Sequence, residues 1–138
     1  MREVLVDTNF LVRFITGEPL SQAEIAKKLM LEAESGSARI TIVPLVVAEV
    51  VFVLTGRVYG FPPVSVRDAL ILLLESPSIH VIERDVLLQA LHTFVKKKVD
   101  FVDAYVASMA ASKGCEVATF DQDFRKFSNL KVFNLDNT

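Results

Sequence analysis

Short β-branched runs alternate with helical stretches along this chain, and that alternation constrains its folding more than any other feature. Adjacent parallel strands need a crossover of about a dozen residues or more between them, and a helix supplies it. Glu3 to Val6 reads as the first strand, Ala38 to Val43 as the second and Ile79 to Ile82 as the third, with two more at Glu116 to Phe120 and Leu130 to Asn134. Helical stretches lie between them. The first is Phe10 to Thr16, and the next runs up to Gly36 behind a capping-box pattern, Ser21 with Glu24. Leu45 to Val58 opens behind Pro44 and is ended by Gly60; Ser65 to Glu75, Asp85 to Lys97 and Asp100 to Lys113 follow, the last closed by Gly114. The expectation is one α/β domain over residues 1–138, a three-layer α/β/α sandwich around a central, mainly parallel sheet.

Composition narrows the function. Hydrophobic residues make up 51% of the 138, enough for a sizeable core and against disorder. The longest apolar run, Ile40 to Leu54, contains Thr41, Pro44 and Glu49 and falls short of the roughly 18 to 20 residues of a membrane span. Met1 to Phe10 carries Arg2, Glu3 and Asp7 and has no secretory pattern, so a cytoplasmic location with no membrane contact is expected. A single cysteine, Cys115, excludes an internal disulfide and a cysteine-rich metal site. The net charge of −2 supplies no global positive field, so any affinity for nucleic acid must be local.

The informative residues are acids that interrupt apolar segments. Glu49 lies within Leu45 to Leu54, a stretch with no evident polar face to receive it. Asp103 sits among Phe101, Val102, Ala104 and Tyr105, with Asp100 three residues before it. Acids in a first helical turn are favoured by capping and by the helix dipole, which accounts for Asp100 better than for Asp103. Asp7 and Asp121 each follow a strand directly, and ligands of open parallel sheets gather beyond the carboxyl ends of strands. Each acid alone is also an ordinary cap or surface group. Taken together they suggest a shared pocket, and several negative charges in one pocket require protons or cations to neutralise them. Oxygen-only ligands favour Mg²⁺ or Mn²⁺, one ion or two, whereas His80 and His92 stand on different elements and form no zinc set.

In order and context these segments resemble the PIN-domain nucleases, particularly the VapC-type toxins of toxin–antitoxin pairs. The likeness is carried by Val6-Asp7-Thr8-Asn9, Val47-Ala48-Glu49-Val50, Asp100-Phe101-Val102-Asp103-Ala104 and Ala118-Thr119-Phe120-Asp121-Gln122-Asp123-Phe124, spanning nearly the whole chain. What the resemblance implies is a metal-dependent endoribonuclease, a homodimer, and a small antitoxin that blocks the site. Asp7, Glu49, Asp103 and Asp121 match the family's metal-holding catalytic acids; Thr8, Asn9 and Thr119 match its hydroxyl or amide neighbours, with Asp100 and Asp123 as accessory acids. Arg13, Lys98 and Arg125 are candidates for RNA contact.

Rival chemistries fit less well. A phosphatase of the haloacid dehalogenase type needs a second Asp where this chain has Asn9, and a phosphoacceptor receiver needs adjacent acids after the first strand. The other readings are a PIN-like module that binds RNA or protein without cutting, and a housekeeping RNA-processing nuclease. The apolar stretch Ala69 to Leu74 suggests a dimer contact and equally an ordinary core.

Overall fold

The computed structural model describes residues 1–135. Its backbone forms two compact units, Met1–Arg84 and Asp85–Thr138, taken here in turn.

The first unit holds β1 (Arg2–Leu5), α1 (Thr8–Thr16), α2 (Leu20–Ser35), β2 (Ala38–Ile42), α3 (Pro44–Thr55), α4 (Pro63–Leu74) and β3 (Ile79–Val81). The sheet order is β1-β2-β3, and both pairings are parallel. Val4 lies opposite Ile40, and Ile40 opposite Ile79. Two helices carry the chain from each strand to the next, which satisfies the crossover that parallel neighbours demand. Alternation along β2 explains its central place: Ala38, Ile40 and Ile42 are buried while Arg39 is exposed. Leu11, Leu54, Leu70 and Leu74 complete this core with almost no exposed surface.

The second unit holds α5 (Arg84–Lys96), α6 (Phe101–Lys113) and a 3₁₀ turn, Gln122–Lys126. Phe94 meets Phe101 edge to face at 5.8 Å, a favoured aromatic geometry where α5 gives way to α6. Ala107, Ala110, Val117 and Phe124 form a buried cluster, with Phe127 and Leu130 against it.

Three parallel strands and six α-helices among the described residues bear out the expected parallel α/β class. Several boundaries differ from the sequence reading. The capping box at Ser21 and Glu24 does not form; α2 begins at Leu20 behind Pro19, with no side-chain cap. The third helix stops at Thr55, because Gly56 turns extended, rather than continuing to Val58. The two late strands reduce to one parallel bridge, Val117 with Val132, in which Val117 N–H donates to Lys131 O and Phe133 N–H to Val117 O. The stretch Ala69 to Leu74 is mostly core: Leu70, Leu73 and Leu74 are buried and Leu72 alone is largely exposed. Among the described residues no helix is long and apolar enough to cross a membrane.

Candidate metal centre

In the first unit, β1 runs into Asp7, and Asp7 caps α1. Its Oδ1 accepts the Phe10 backbone N–H at 2.9 Å, one of the donors that every helix start leaves without a partner. Thr8 is buried, and its hydroxyl donates to Glu49 Oε1 on α3. Asp7, Thr8, Asn9 and Glu49 line one hollow together with Leu45 and Val46. Glu49 is exposed, which corrects the expectation of an acid on a helix without a polar face. Leu45 and Phe52, 81% and 77% exposed, share that side of α3 at helical spacing, so apolar residues on the open face concealed it from a hydropathy reading.

Arg13 is only half-exposed, and its guanidinium has partners already. Nε donates to Gln22 Oε1 at 2.9 Å and Nη1 to the Tyr59 hydroxyl at 3.3 Å, tying α1 to α2 and to the segment after α3. Sequence reasoning passed over both partners, since neither Gln22 nor Tyr59 stands in a pattern that marks it.

In the second unit, Asp103 lies in the first turn of α6, and Asp100, the residue before that helix, makes no side-chain capping bond. Asp121 caps the 3₁₀ turn through Oδ1, which accepts the Asp123 N–H at 2.9 Å. Its own N–H donates to Thr119 Oγ1, also at 2.9 Å. Asp103, Asp121 and Asp123 each offer a carboxylate oxygen, and these atoms lie within 4.8 Å of one another. The sequence reading gave Asp123 an accessory role; the geometry gives it the same standing as the other two. Burial raises the Asp103 carboxyl above its usual value of 3.8, and the charges of Asp100, Asp121 and Asp123 raise it further. Lys126 lies 3.8 Å from Asp123 in an exposed pair, which offsets little of this repulsion. Lys98, in the left-handed backbone region at φ 55, and Arg125 are both exposed.

The three carboxylates fit a hard divalent cation. Their donors are oxygens only, they converge without a full set of counter-charges, and a cation among them would relieve the repulsion that burdens Asp103. Asp7 stands just past a parallel strand, whereas Asp103 lies in a first helical turn and Asp121 caps a 3₁₀ turn. The chain belongs to the PIN domain family, whose model matches residues 4–130. PIN domains have a nuclease-type fold of the α/β/α class; they are typically hydrolases and generally use divalent metals. A comparison with curated proteins finds no match.

Proposed function

We propose that residues 1–138 act as a single PIN-like ribonuclease domain, hydrolysing RNA phosphodiester bonds with one or two Mg²⁺ or Mn²⁺ ions held by Asp7, Glu49, Asp103 and Asp121. The observation that carries this reading is the convergence of Asp103, Asp121 and Asp123 within 4.8 Å, at a carboxyl already burdened by its neighbours. Capping and the helix dipole favour Asp121 and Asp103 singly, but their convergence with Asp123 adds a repulsion that a divalent cation would relieve.

Local hydrogen bonds aim the acids. Phe10 N–H fixes one oxygen of Asp7, the Thr8 hydroxyl fixes one oxygen of Glu49, and Thr119 and the Asp123 N–H fix the backbone and side chain of Asp121. Carboxylates held this way need little reordering before they bind, and such outer hydrogen bonds tune how strongly a ligand holds its ion. Asn9 and Asp100 stand beside the ligands as accessory groups. When bound, the ions supply positive charge that lowers the pKa of a water and offsets charge at the phosphate. Hydrolysis joins the water oxygen to phosphorus and releases the 3′ oxygen, leaving 3′-hydroxyl and 5′-phosphate ends. Exposed Arg125 and Lys98 are the cations for substrate phosphates, with Arg13 the weaker candidate because Gln22 and Tyr59 engage it.

The finer reading is the toxin of a toxin–antitoxin pair, cytoplasmic and homodimeric, held in check by a small antitoxin. Its support is apolar surface left open: Leu45, Phe52 and Leu72 are 81%, 77% and 78% exposed, and a protein partner would remove such side chains from water.

The test is cleavage of end-labelled RNA by the full chain with Mg²⁺ or Mn²⁺, with EDTA, and by Asp7→Asn and Asp103→Asn purified alongside. Cleavage only by the unaltered protein, and only with metal, is expected. Activity persisting in EDTA, or in both variants, would end the reading.

A further inference from the structure

We infer that Phe120 is a platform on which an unpaired nucleobase of the substrate stacks; the inference rests on the ribonuclease reading above. Phe120 is 89% exposed, whereas Phe94, Phe101 and Phe124 of the same unit are 6%, 3% and 6% exposed. A lone exposed aromatic side chain is unremarkable on a protein surface. Position makes this one informative.

Phe120 lies between Thr119 and Asp121, where the chain is pinned: Asp121 N–H is held by the Thr119 hydroxyl and Asp123 N–H by the Asp121 carboxylate. The ring therefore projects from a backbone set by local hydrogen bonds, directly beside one of the three converging acids. It also lines a hollow of about 420 Å³ with Gln122, Arg125 and Phe133. That volume lies within the range of roughly 300 to 1,000 Å³ typical of small-ligand sites, so a nucleotide fits. The lining has the needed chemistry. An aromatic face takes a base, an exposed guanidinium takes a phosphate, and a side-chain amide can bond a base edge, the combination by which single-stranded nucleic acid is held. Bases within a duplex have both faces covered by their neighbours, so a protruding ring selects nucleotides that are not stacked. A protein partner is the weaker reading for this ring, because Asp121, Gln122 and Arg125 share its hollow with the half-exposed Val132 and Phe133, a mixed lining that suits a nucleotide better than the contiguous apolar patch a protein partner covers.

The experiment uses the full chain in EDTA, to prevent cleavage, and a single-stranded hexaribonucleotide carrying one 2-aminopurine, whose fluorescence is quenched on stacking. Wild type is expected to bind the single strand and quench the probe. Phe120→Leu should weaken binding about 10- to 100-fold, as loss of one stacked base does, and abolish the quench. Phe120→Tyr should keep both, and a blunt-ended duplex should bind wild type and Phe120→Leu alike. Unchanged melting temperatures in both variants separate lost binding from lost folding. Phe120→Leu binding the single strand within twofold of wild type overturns the inference. Cleavage with Mg²⁺, assayed on the same preparations, separates the two claims. A wild type that cleaves while Phe120→Leu binds normally sinks the platform alone, and one that neither binds nor cleaves sinks the ribonuclease reading with it.

Discussion

The hydroxyl of Thr8 donates to Glu49 Oε1, joining the first residue of α1 to the middle of α3. Thr8 is buried and Glu49 exposed, so a fixed donor reaches outward to aim a carboxylate whose chain would otherwise sample several rotamers. Thr8→Val keeps the shape and removes the donor. It should cost about 1 kcal/mol of stability, the net worth of an ordinary hydrogen bond. Metal-dependent RNA cleavage should fall about 10-fold or more, as when a ligand loses its orienting partner, and Thr8→Ser should restore much of it. Parallel thermal melts and cleavage rates decide the matter: full activity in Thr8→Val would show that Glu49 needs no such aim.

Asp103 predicts a pH signature. Burial first, and then Asp100, Asp121 and Asp123, raise its carboxyl above 3.8, so the folded protein holds this proton more tightly than the unfolded chain does. Stability is therefore lost as pH climbs from 3.8 through the raised value, and the penalty is fully present at neutral pH. In EDTA, Asp103→Asn should melt at a higher temperature than wild type at pH 7, and the gap should close as pH falls toward 3.8. A variant less stable than wild type at pH 7 without metal contradicts this account.

The sequence made some of this legible for a simple physical reason: helix ends and buried strands impose local requirements that particular residues meet. Asp7 as a cap, Gly36 and Gly114 as left-handed helix ends, and the three parallel strands all follow from such requirements. Where a partner distant in sequence decides, the pattern falls short. Glu116 to Phe120 and Leu130 to Asn134 have strand-like composition, yet β-propensity is realised only where a neighbour runs alongside, and only Val117 and Val132 pair. Ser21 and Glu24 carry the capping-box spacing, but the fixed φ of Pro19 lets the helix start two residues before a Ser21 cap would place it, so Ser21 is already helical and cannot act as the cap. At the site, the acids stood out by their apolar neighbours, whereas the bonds that Thr8 and Arg13 make to Glu49 and Tyr59 depend on the fold.

Gly56 ends α3, the helix that carries Glu49. A Cβ there would lie 2.9 Å from Phe52 O and 3.4 Å from Val53 O, and both atoms are backbone, so the helix end itself must move. The same turn is closed by Gly60 N–H donating to Gly56 O at 2.7 Å and Phe61 N–H donating to Leu54 O at 2.9 Å. Gly56→Ala should therefore destabilise by about 1 to 3 kcal/mol, the usual cost of forcing atoms into filled space, despite the helix preference of alanine. Denaturant unfolding measures it, and a variant as stable as wild type would mean that the turn yields freely.

The carboxylate trio makes the most direct prediction about metal. Asp103, Asp121 and Asp123 repel one another in the folded chain, whereas in the unfolded one Asp103 lies far, on average, from the neighbouring pair Asp121 and Asp123, so a divalent cation that bridges all three binds the folded state selectively. Adding Mn²⁺ or Mg²⁺ should raise the melting temperature, with a stabilisation of about 2.7 kcal/mol at a hundred times the dissociation constant. Asp121→Asn combined with Asp123→Asn removes two of the three charges while leaving a side-chain oxygen at position 121 to accept the backbone N–H of position 123, so the fold should survive and the metal-induced shift should vanish. Calorimetric titration with Mn²⁺ gives the same answer independently of melting. An equal shift in wild type and the double variant would place the cation elsewhere on the chain and remove the trio from the metal site.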